Sequence, residues 1–364
     1  VVVAGVDRAL FASGSTCLGV GSNALKQILP DYSTVTLRSG LTAARDLSYA
    51  PVGDRVYYSN GVELGVVAEG ASRSWGLPVP ALPVAAATGG DLPEGTYQYV
   101  VTYIRSDGQE SGAARAGTIT LTATGGIDLS AIPVSSDTTV VAKAVYVSTR
   151  NGAALYRAGT IANATTTLAV REAGDPASPL QTQFLTAPPT GDFIGYFSGW
   201  MLVADGDRLY PSEPYAPELF DVRKAMPFSD RITMVAPVEK GVWIGTGSQV
   251  IWLNGDSPET WKFDVRADYG VIPGTLAYGD SELIGAKSGK TISLSVKADA
   301  PVPFFSTTRG LCVGEQDGEL RNFTEARFAY PSQPVGAGVV RRHRGLAQYL
   351  VTLNGPETAG NTFA

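Results

Sequence analysis

The chain of 364 residues has very little of what many active sites are built from. It contains a single histidine, His343, and two cysteines, Cys17 and Cys312, which lie far apart in the sequence. A zinc site of cysteine and histidine ligands is therefore excluded, and a disulfide framework is not supported. Any catalytic triad would depend on His343 alone. We expect no metal and no cofactor, and we expect each cysteine to be a small buried residue.

Charge and long apolar runs are also scarce. Charged residues make up 17% of the chain, and 28 basic against 34 acidic residues give a net charge of −6. No apolar stretch approaches the ~20 residues of a membrane helix, and the first residues lack a basic secretory leader. We therefore expect no membrane partner and no general affinity for the phosphates of nucleic acids.

Glycine and proline, in contrast, are abundant. The chain has 42 glycines and 23 prolines, residues that favour turns and interrupt helices. With short apolar runs between them, this composition predicts an all-β fold with many tight turns.

One sequence phrase recurs along the chain and predicts a β-hairpin each time. It consists of apolar residues, a small residue, a glycine-bearing turn and a second apolar position. The copies begin at Leu10, Tyr57, Leu202, Ile244, Ile284 and Val313. Most copies are spaced by about 40 to 47 residues, a period typical of β-propeller blades, so we expect about five to seven blades.

The long interval between Tyr57 and Leu202 predicts an inserted domain. This interval exceeds one blade by about 100 residues, and proline-rich segments stand at both ends of the excess. Strongly alternating strands at 95–104 and 140–148 predict an antiparallel β-sandwich of the immunoglobulin or fibronectin-III-like type. The expected boundaries are 1–74 for the first part of the propeller, 75–186 for the sandwich and 187–364 for the second part.

Two segments are candidates for contacts with a partner. Arg341, Arg342 and Arg344 form the densest basic cluster, which indicates either phosphate or subunit contact, or a solvated hairpin tip. The segment 215–224 is predicted as a loop in which Tyr215 and Phe220 either contact a partner or pack beneath the propeller.

No catalytic or metal-binding motif emerges from the remaining residues. Asp205-Gly206-Asp207 lacks the further ligands of a calcium loop and fits a hairpin turn. Gly245-Thr246-Gly247 lies between predicted strands, which is the wrong context for a dinucleotide-binding turn. We therefore expect no catalytic residues.

Several segments resemble virion proteins of tailed bacteriophages. Residues 207–215, 231–238 and 241–246 are similar to β-propeller proteins of the tail, of the nozzle or hub type. Residues 95–99 and 107–111 are similar to the immunoglobulin-like or fibronectin-like inserts of such proteins. The motifs are structural, so the resemblance carries over no residue of chemical role.

This resemblance implies a non-enzymatic structural protein of the virion, made in the bacterial cytoplasm. Its partners would be other copies in a ring of about six, neighbouring connector or portal proteins and tail proteins, and DNA that passes without specific binding. An acidic subunit is compatible with such a conduit because it does not grip phosphates.

Two other functions remain open from the sequence. A carbohydrate-binding adhesin would use exposed aromatic residues such as Tyr97 or Trp200 to stack on sugar rings. A glycan-acting propeller enzyme would use paired carboxylates such as Glu213 and Asp221.

Overall fold

The computed structural model describes residues 5–43, 45–280, 301–324, 333–343 and 346–354. Apart from one 3-10 helix at Val222–Lys224, the regular elements of these residues are β-strands, which confirms the predicted all-β class. No helix in these ranges is long and apolar enough to cross a membrane. The chain divides into two compact units, and residues 1–73, 189–215 and 225–364 form the first.

The described part of the first unit is a series of antiparallel sheets, which we label A to F. Sheet A contains β1 (Arg8–Ser13), β2 (Thr16–Gly21), β3 (Ala24–Ile28) and β4 (Thr34–Arg38). Sheet B contains β5 (Ser48–Val52), β6 (Arg55–Ser59), β7 (Leu64–Ala68) and β8 (Ala71–Arg73). Sheet C contains β17 (Phe193–Phe197), β18 (Trp200–Asp205), β19 (Arg208–Glu213) and β21 (Met226–Pro227).

Sheets D and E each pair four strands in chain order, and sheet F is a two-stranded hairpin. Sheet D contains β22 (Ile232–Val238), β23 (Gly241–Thr246), β24 (Val250–Asn254) and β25 (Lys262–Ala267). Sheet E contains β26 (Ala277–Asp280), β27 (Pro301–Thr307), β28 (Gly310–Gly314) and β29 (Leu320–Asn322). Sheet F contains β30 (Val335–His343) and β31 (Leu346–Asn354).

The first strand of every sheet from A to F lines one common cavity. Residues of β1, β5, β17, β22, β26 and β30 all contribute to its wall. β17 lies against β5 on one side and β22 on the other, and β26 lies against β30. Successive antiparallel sheets whose first strands face a shared centre are the topology of a β-propeller-like fold.

The recurring sequence phrase forms hairpins, although not at equivalent places in the sheets. The copies at Tyr57, Leu202 and Ile244 form hairpins of the second and third strands of sheets B, C and D. The copy at Leu10 instead joins the first two strands of sheet A. The copy at Val313 joins the last two strands of sheet E, and the copy at Ile284 lies outside the described residues. The phrase therefore marks tight turns in general rather than one position in a blade.

Aromatic residues fill the space between sheets D and E. The rings of Trp243 and Trp252 lie 4.9 Å apart, and both side chains are almost wholly buried. Nε1 of Trp243 donates a hydrogen bond to the backbone oxygen of Glu315 over 3.0 Å. The indole approaches sheet E so closely that a Cβ at Gly314 would lie 2.5 Å from that nitrogen. The close fit explains why glycine is required at position 314.

The second unit comprises residues 74–188 together with 216–224. One sheet contains β11 (Gly117–Leu121), β10 (Gly95–Arg105), β13 (Val140–Ser148), β14 (Leu155–Ala162) and β16 (Asp175–Pro179), in that spatial order. The other contains β15 (Leu168–Val170), β12 (Gly125–Ser130) and β9 (Val84–Leu92). Side chains from both sheets form one core, which includes Tyr97, Ile127 and Val145.

The returning segment of the second unit was not part of the predicted domain at 75–186. It holds β20 (Ala216–Phe220) and the 3-10 helix, where a loop was expected. Trp75 holds this segment, because its Nε1 donates to the Pro217 oxygen over 2.8 Å and its ring meets Phe220 edge-on. Backbone hydrogen bonds in both directions join Thr186 to Phe220.

Replacing Trp243 by alanine should lower the free energy of unfolding by about 3–5 kcal/mol, because it opens a large cavity in a close-packed core. The exposed Tyr32, in the loop between β3 and β4, is the matched control. Tyr32→Ala should change the value by less than about 0.5 kcal/mol. Urea unfolding of the full chain measures both, and equal effects of the two substitutions would contradict the assigned packing.

Candidate functional site

The first strands of sheets A to F line a cavity between them. Its volume is about 1070 Å³. Much of its wall is apolar: Leu10 of β1, Val339 of β30 and Leu350 of β31 keep 70%, 54% and 41% of their surface exposed.

An aspartate precedes the first strand of each of sheets A to D. Asp7 and Asp192 stand one residue before β1 and β17, and Asp46 and Asp230 stand two residues before β5 and β22. Because the first strands all face the cavity, these carboxylates lie at corresponding places in four successive sheets. Arginine accompanies three of them, in Asp7-Arg8, Arg45-Asp46 and Asp230-Arg231.

Ion pairs between these residues join one sheet to the next. Nε of Arg8 in sheet A lies 3.5 Å from Oδ1 of Asp46 before sheet B. Nη1 of Arg45 lies 3.0 Å from Oδ1 of Asp192, and Nη2 of Arg231 lies 2.5 Å from its Oδ2. We call Arg8, Arg45, Asp46, Asp192 and Arg231 the Asp–Arg rim. Asp192 is its centre, because one carboxylate serves the sheets on both sides.

Backbone contacts reinforce the rim between sheets B and C. The amide of Gly61 donates to the Gly191 oxygen over 2.9 Å, and the Ser48 hydroxyl accepts a hydrogen bond from the Ile194 amide over 3.1 Å. Gly61 has a φ of +82°, and a Cβ there would lie 2.2 Å from Oδ1 of Asp192. Both its conformation and its proximity to this carboxylate therefore require glycine.

The chemistry available at the cavity is limited. Among the described residues, no group of three or more histidine, cysteine, aspartate or glutamate side chains could hold a metal ion. Two buried hydroxyl groups of cavity-lining residues, on Tyr49 and Thr233, have no hydrogen-bond partner in the described structure. Burial raises the pKa of Tyr49 far above its usual value, so this phenol stays neutral.

The basic cluster lies on the hairpin of sheet F. Arg341 and Arg342 are in β30, and Arg344 lies outside the described residues. Val339 pairs with Leu350 and Val340 with Tyr349, which are the strands expected to flank a hairpin tip. The exposed Arg341 guanidinium donates two hydrogen bonds to Oε1 of Gln348, over 3.2 and 3.1 Å. Whether these arginines contact a partner stays a prediction.

The two aromatic residues of segment 215–224 lie in very different surroundings. Tyr215 is 81% exposed and therefore available for contact. Phe220 is completely buried against Trp75. For Phe220, packing rather than contact is the alternative that the structure favours.

Asp221 is engaged by a neighbouring arginine. Nε and Nη2 of Arg223 donate to its two carboxylate oxygens, each over 2.8 Å. These hydrogen bonds hold the pKa of Asp221 below its usual value. A catalytic acid needs the opposite shift, so this environment does not favour the acid role of the Glu213 and Asp221 hypothesis.

The aromatic residues proposed for sugar stacking are not freely exposed. The expectation for Tyr97 was wrong: its ring is buried in the core of the second unit, and its hydroxyl donates to the Pro93 oxygen over 2.8 Å. Trp200 is partly buried and packs against the core of the first unit. Asp205-Gly206-Asp207 forms the turn between β18 and β19, with Gly206 at a φ of +60°.

The sequence prediction missed the Asp–Arg rim. Its signal was present, because an adjacent aspartate and arginine occur at 7–8, 45–46 and 230–231, each at or just before the start of a strand. The hairpin phrase marks the turns between strands, whereas the rim marks the entry to sheets A to D.

Comparisons with known proteins give no family. No family model matches the chain, and no curated protein matches it. Among solved structures, the chain is similar to that of BBS1N in complex with ARL6DN, at 11% identity and a TM-score of 0.36, with 98% of this chain and 96% of that chain covered. It is also similar to AztD of Citrobacter koseri, at 10% identity and a TM-score of 0.27, covering 88% and 86% of the two chains. A third similar structure is puromycin hydrolase, at 12% identity and a TM-score of 0.21, covering 93% of this chain and 56% of that one. With such TM-scores, these likenesses establish neither the fold nor the function.

Replacing Asp192 by asparagine should destabilise the first unit, because both ion pairs of that carboxylate are lost. Arg45 and Arg231 are 44% and 62% exposed, so solvent screening limits the expected loss to about 0.5–1 kcal/mol. The difference from wild type should shrink as salt is added. Asp54→Asn, in the exposed turn between β5 and β6, is the control and should have no effect. A loss that does not change with salt would contradict the electrostatic role.

Replacing Asp221 by asparagine should give a pH-dependent loss of stability. Because the folded pKa is lowered, the carboxylate contributes stability that is complete above the unfolded pKa of about 3.9 and disappears as the pH falls through the folded value. Thermal unfolding should therefore separate wild type and variant by a constant amount from about pH 5 to 8, and the two should converge in stronger acid. A difference that grows in acid would show that the sign of the pKa shift is wrong.

Proposed function

We propose that this chain is a non-enzymatic structural subunit of a bacteriophage tail, of the nozzle or hub type. In this proposal sheets A to F are the blades of a propeller, and the second unit is an immunoglobulin or fibronectin-III-like sandwich inserted between sheets B and C. Several copies form a ring that is part of the conduit for genome ejection, next to the connector or portal and other tail proteins.

One observation carries the proposal. The ionisable side chains of the Asp–Arg rim, three of which line the cavity, are paired with each other across neighbouring sheets. Their charges therefore stabilise the arrangement of the sheets. A chain whose charged side chains pair between its own sheets is suited to a structural role.

The composition and the second unit support the same function. A net charge of −6 does not favour tight binding of passing DNA. The second unit has its own core, formed by both of its sheets, and so has the organisation of a separate module. Such a module offers surface for contact with a neighbouring subunit or tail protein.

The alternative functions have weaker support in the described residues. Tyr97 is buried, so an adhesin would have to use other aromatic residues. The lowered pKa of Asp221 does not favour the acid of a glycan-acting enzyme.

Electron microscopy of the purified full chain, alone and within assembled particles, tests the proposal. We expect rings of about six copies, located in particles at the tail. A chain that stays monomeric at high concentration and is absent from particles would contradict the proposal. Binding to a glycan array, or hydrolysis of a glycan, would favour one of the alternatives instead.

A further inference from the structure

The outermost strand of sheet D differs from those of sheets A, B and E in its exposure. β25 pairs with β24 along one edge, and no other described strand pairs with it. Five of its six residues are exposed. β4 exposes two residues, β8 exposes one, and β29 exposes none. β25 is therefore a strand with a free edge and with both faces open to solvent, which is a template for pairing with another strand.

The side chains of β25 alternate strictly between charged and apolar. Lys262, Asp264 and Arg266 alternate in sign, and Nη2 of Arg266 lies 3.3 Å from Oδ2 of Asp264. Phe263 and Val265 stand between them, 47% and 51% exposed. The Phe263 ring packs against that of Phe228, with the ring centroids 5.3 Å apart, but guarding the edge with charge does not account for the half-exposed Val265.

The order of the charges makes the strand complementary to itself. In an antiparallel pair centred on Val265, Asp264 of each copy lies opposite Arg266 of the other, so two attractive pairs form. In a pair centred on Asp264, by contrast, the two aspartates would face each other and Lys262 would face Arg266. A shift of this kind would replace attraction by repulsion, so the charges select the register.

We propose that β25 pairs with β25 of a second copy of this chain, antiparallel and centred on Val265, so that sheet D continues across a two-fold axis. The two Val265 side chains then lie directly opposite each other. We assign a second copy of this chain as the partner because the charges of β25 are complementary to those of an antiparallel copy of β25.

This contact is separate from the proposed ring. A two-fold contact uses the same patch on both partners, and it cannot by itself close a ring of about six copies. If rings form, the β25 contact would pair one ring with another or join subunits before the ring closes. The inference therefore does not rest on the proposed function.

Charge reversal on the full chain tests the pairing. Asp264→Arg places arginine opposite arginine, and Arg266→Asp places aspartate opposite aspartate. In sedimentation velocity, each single variant should dissociate the two-fold pair at least about tenfold more readily than wild type. An equimolar mixture of the two variants should restore the pair, because every contact in the mixed dimer is again between opposite charges.

Two further observations make the test decisive. Lys240→Glu, at the exposed turn between β22 and β23 of the same sheet, is the control and should leave the pairing unchanged. Misfolding of a single variant cannot be repaired by mixing, so restoration in the mixture identifies a direct contact. Val265→Cys should form an intermolecular disulfide on mild oxidation, because directly opposed residues lie within disulfide reach.

Three outcomes would overturn the proposal: a wild-type chain without two-fold pairing at about 100 µM, where weak interfaces of small area are detectable; single variants that pair as wild type does; or a mixture that stays unpaired. In that case β25 is a guarded edge, for which the bulge in its pairing with β24 would be an additional device. Six-fold rings formed by a wild-type chain that shows no two-fold pairing would leave the proposed function intact while this inference fails.

Discussion

The first unit depends on one constraint: a four-stranded sheet with two apolar faces cannot be stable alone. Each face must be covered, and in this chain the cover is the next sheet along the sequence. The core of sheets C and D is one cluster, with Leu202 and Leu209 from one sheet and Val242 and Leu253 from the other. The core of sheets D and E is another, with the two tryptophans and Phe305. Because each sheet packs its faces against the neighbouring sheets, the first strands of the sheets surround the shared cavity.

Apolar burial is not directional, whereas the ion pairs of the Asp–Arg rim specify how neighbouring sheets are positioned relative to each other. Area removed from water stabilises many relative positions of two sheets about equally well. The carboxylate of Asp192, held from both sides, is satisfied only when sheets B, C and D are in register. Its hydrogen bonds and the reciprocal contact of Ser48 with Ile194 therefore specify a position that packing alone would leave loose. The Trp243 hydrogen bond to Glu315 does the same between sheets D and E.

Much of the fold could be predicted from the sequence, because it follows from local chemistry. Glycine-bearing turns between short apolar runs form hairpins wherever they occur, so the copies at Tyr57, Leu202 and Ile244 were located correctly. The position of a hairpin within its sheet depends on the packing of neighbouring sheets, which explains why the Leu10 copy joins different strands. For the candidate site, the exposure of Tyr97 likewise could not be predicted from the sequence. Its alternation with Tyr99 and Val101 identifies one face of a strand, but exposure depends on the sheet that covers that face. The burial of Phe220 could not be predicted either, because it depends on Trp75, which lies far away in the chain.

The path of the chain through the second unit has a consequence for its biosynthesis. The unit takes residues 74–188, the chain then runs through β17, β18 and β19 of the other unit, and it returns at 216–224. During translation, Trp75 therefore cannot contact Pro217 and Phe220 until β17, β18 and β19 of the first unit have been synthesised. The two units cannot mature strictly one after the other, and a fragment cut at residue 188 would lack its own final piece.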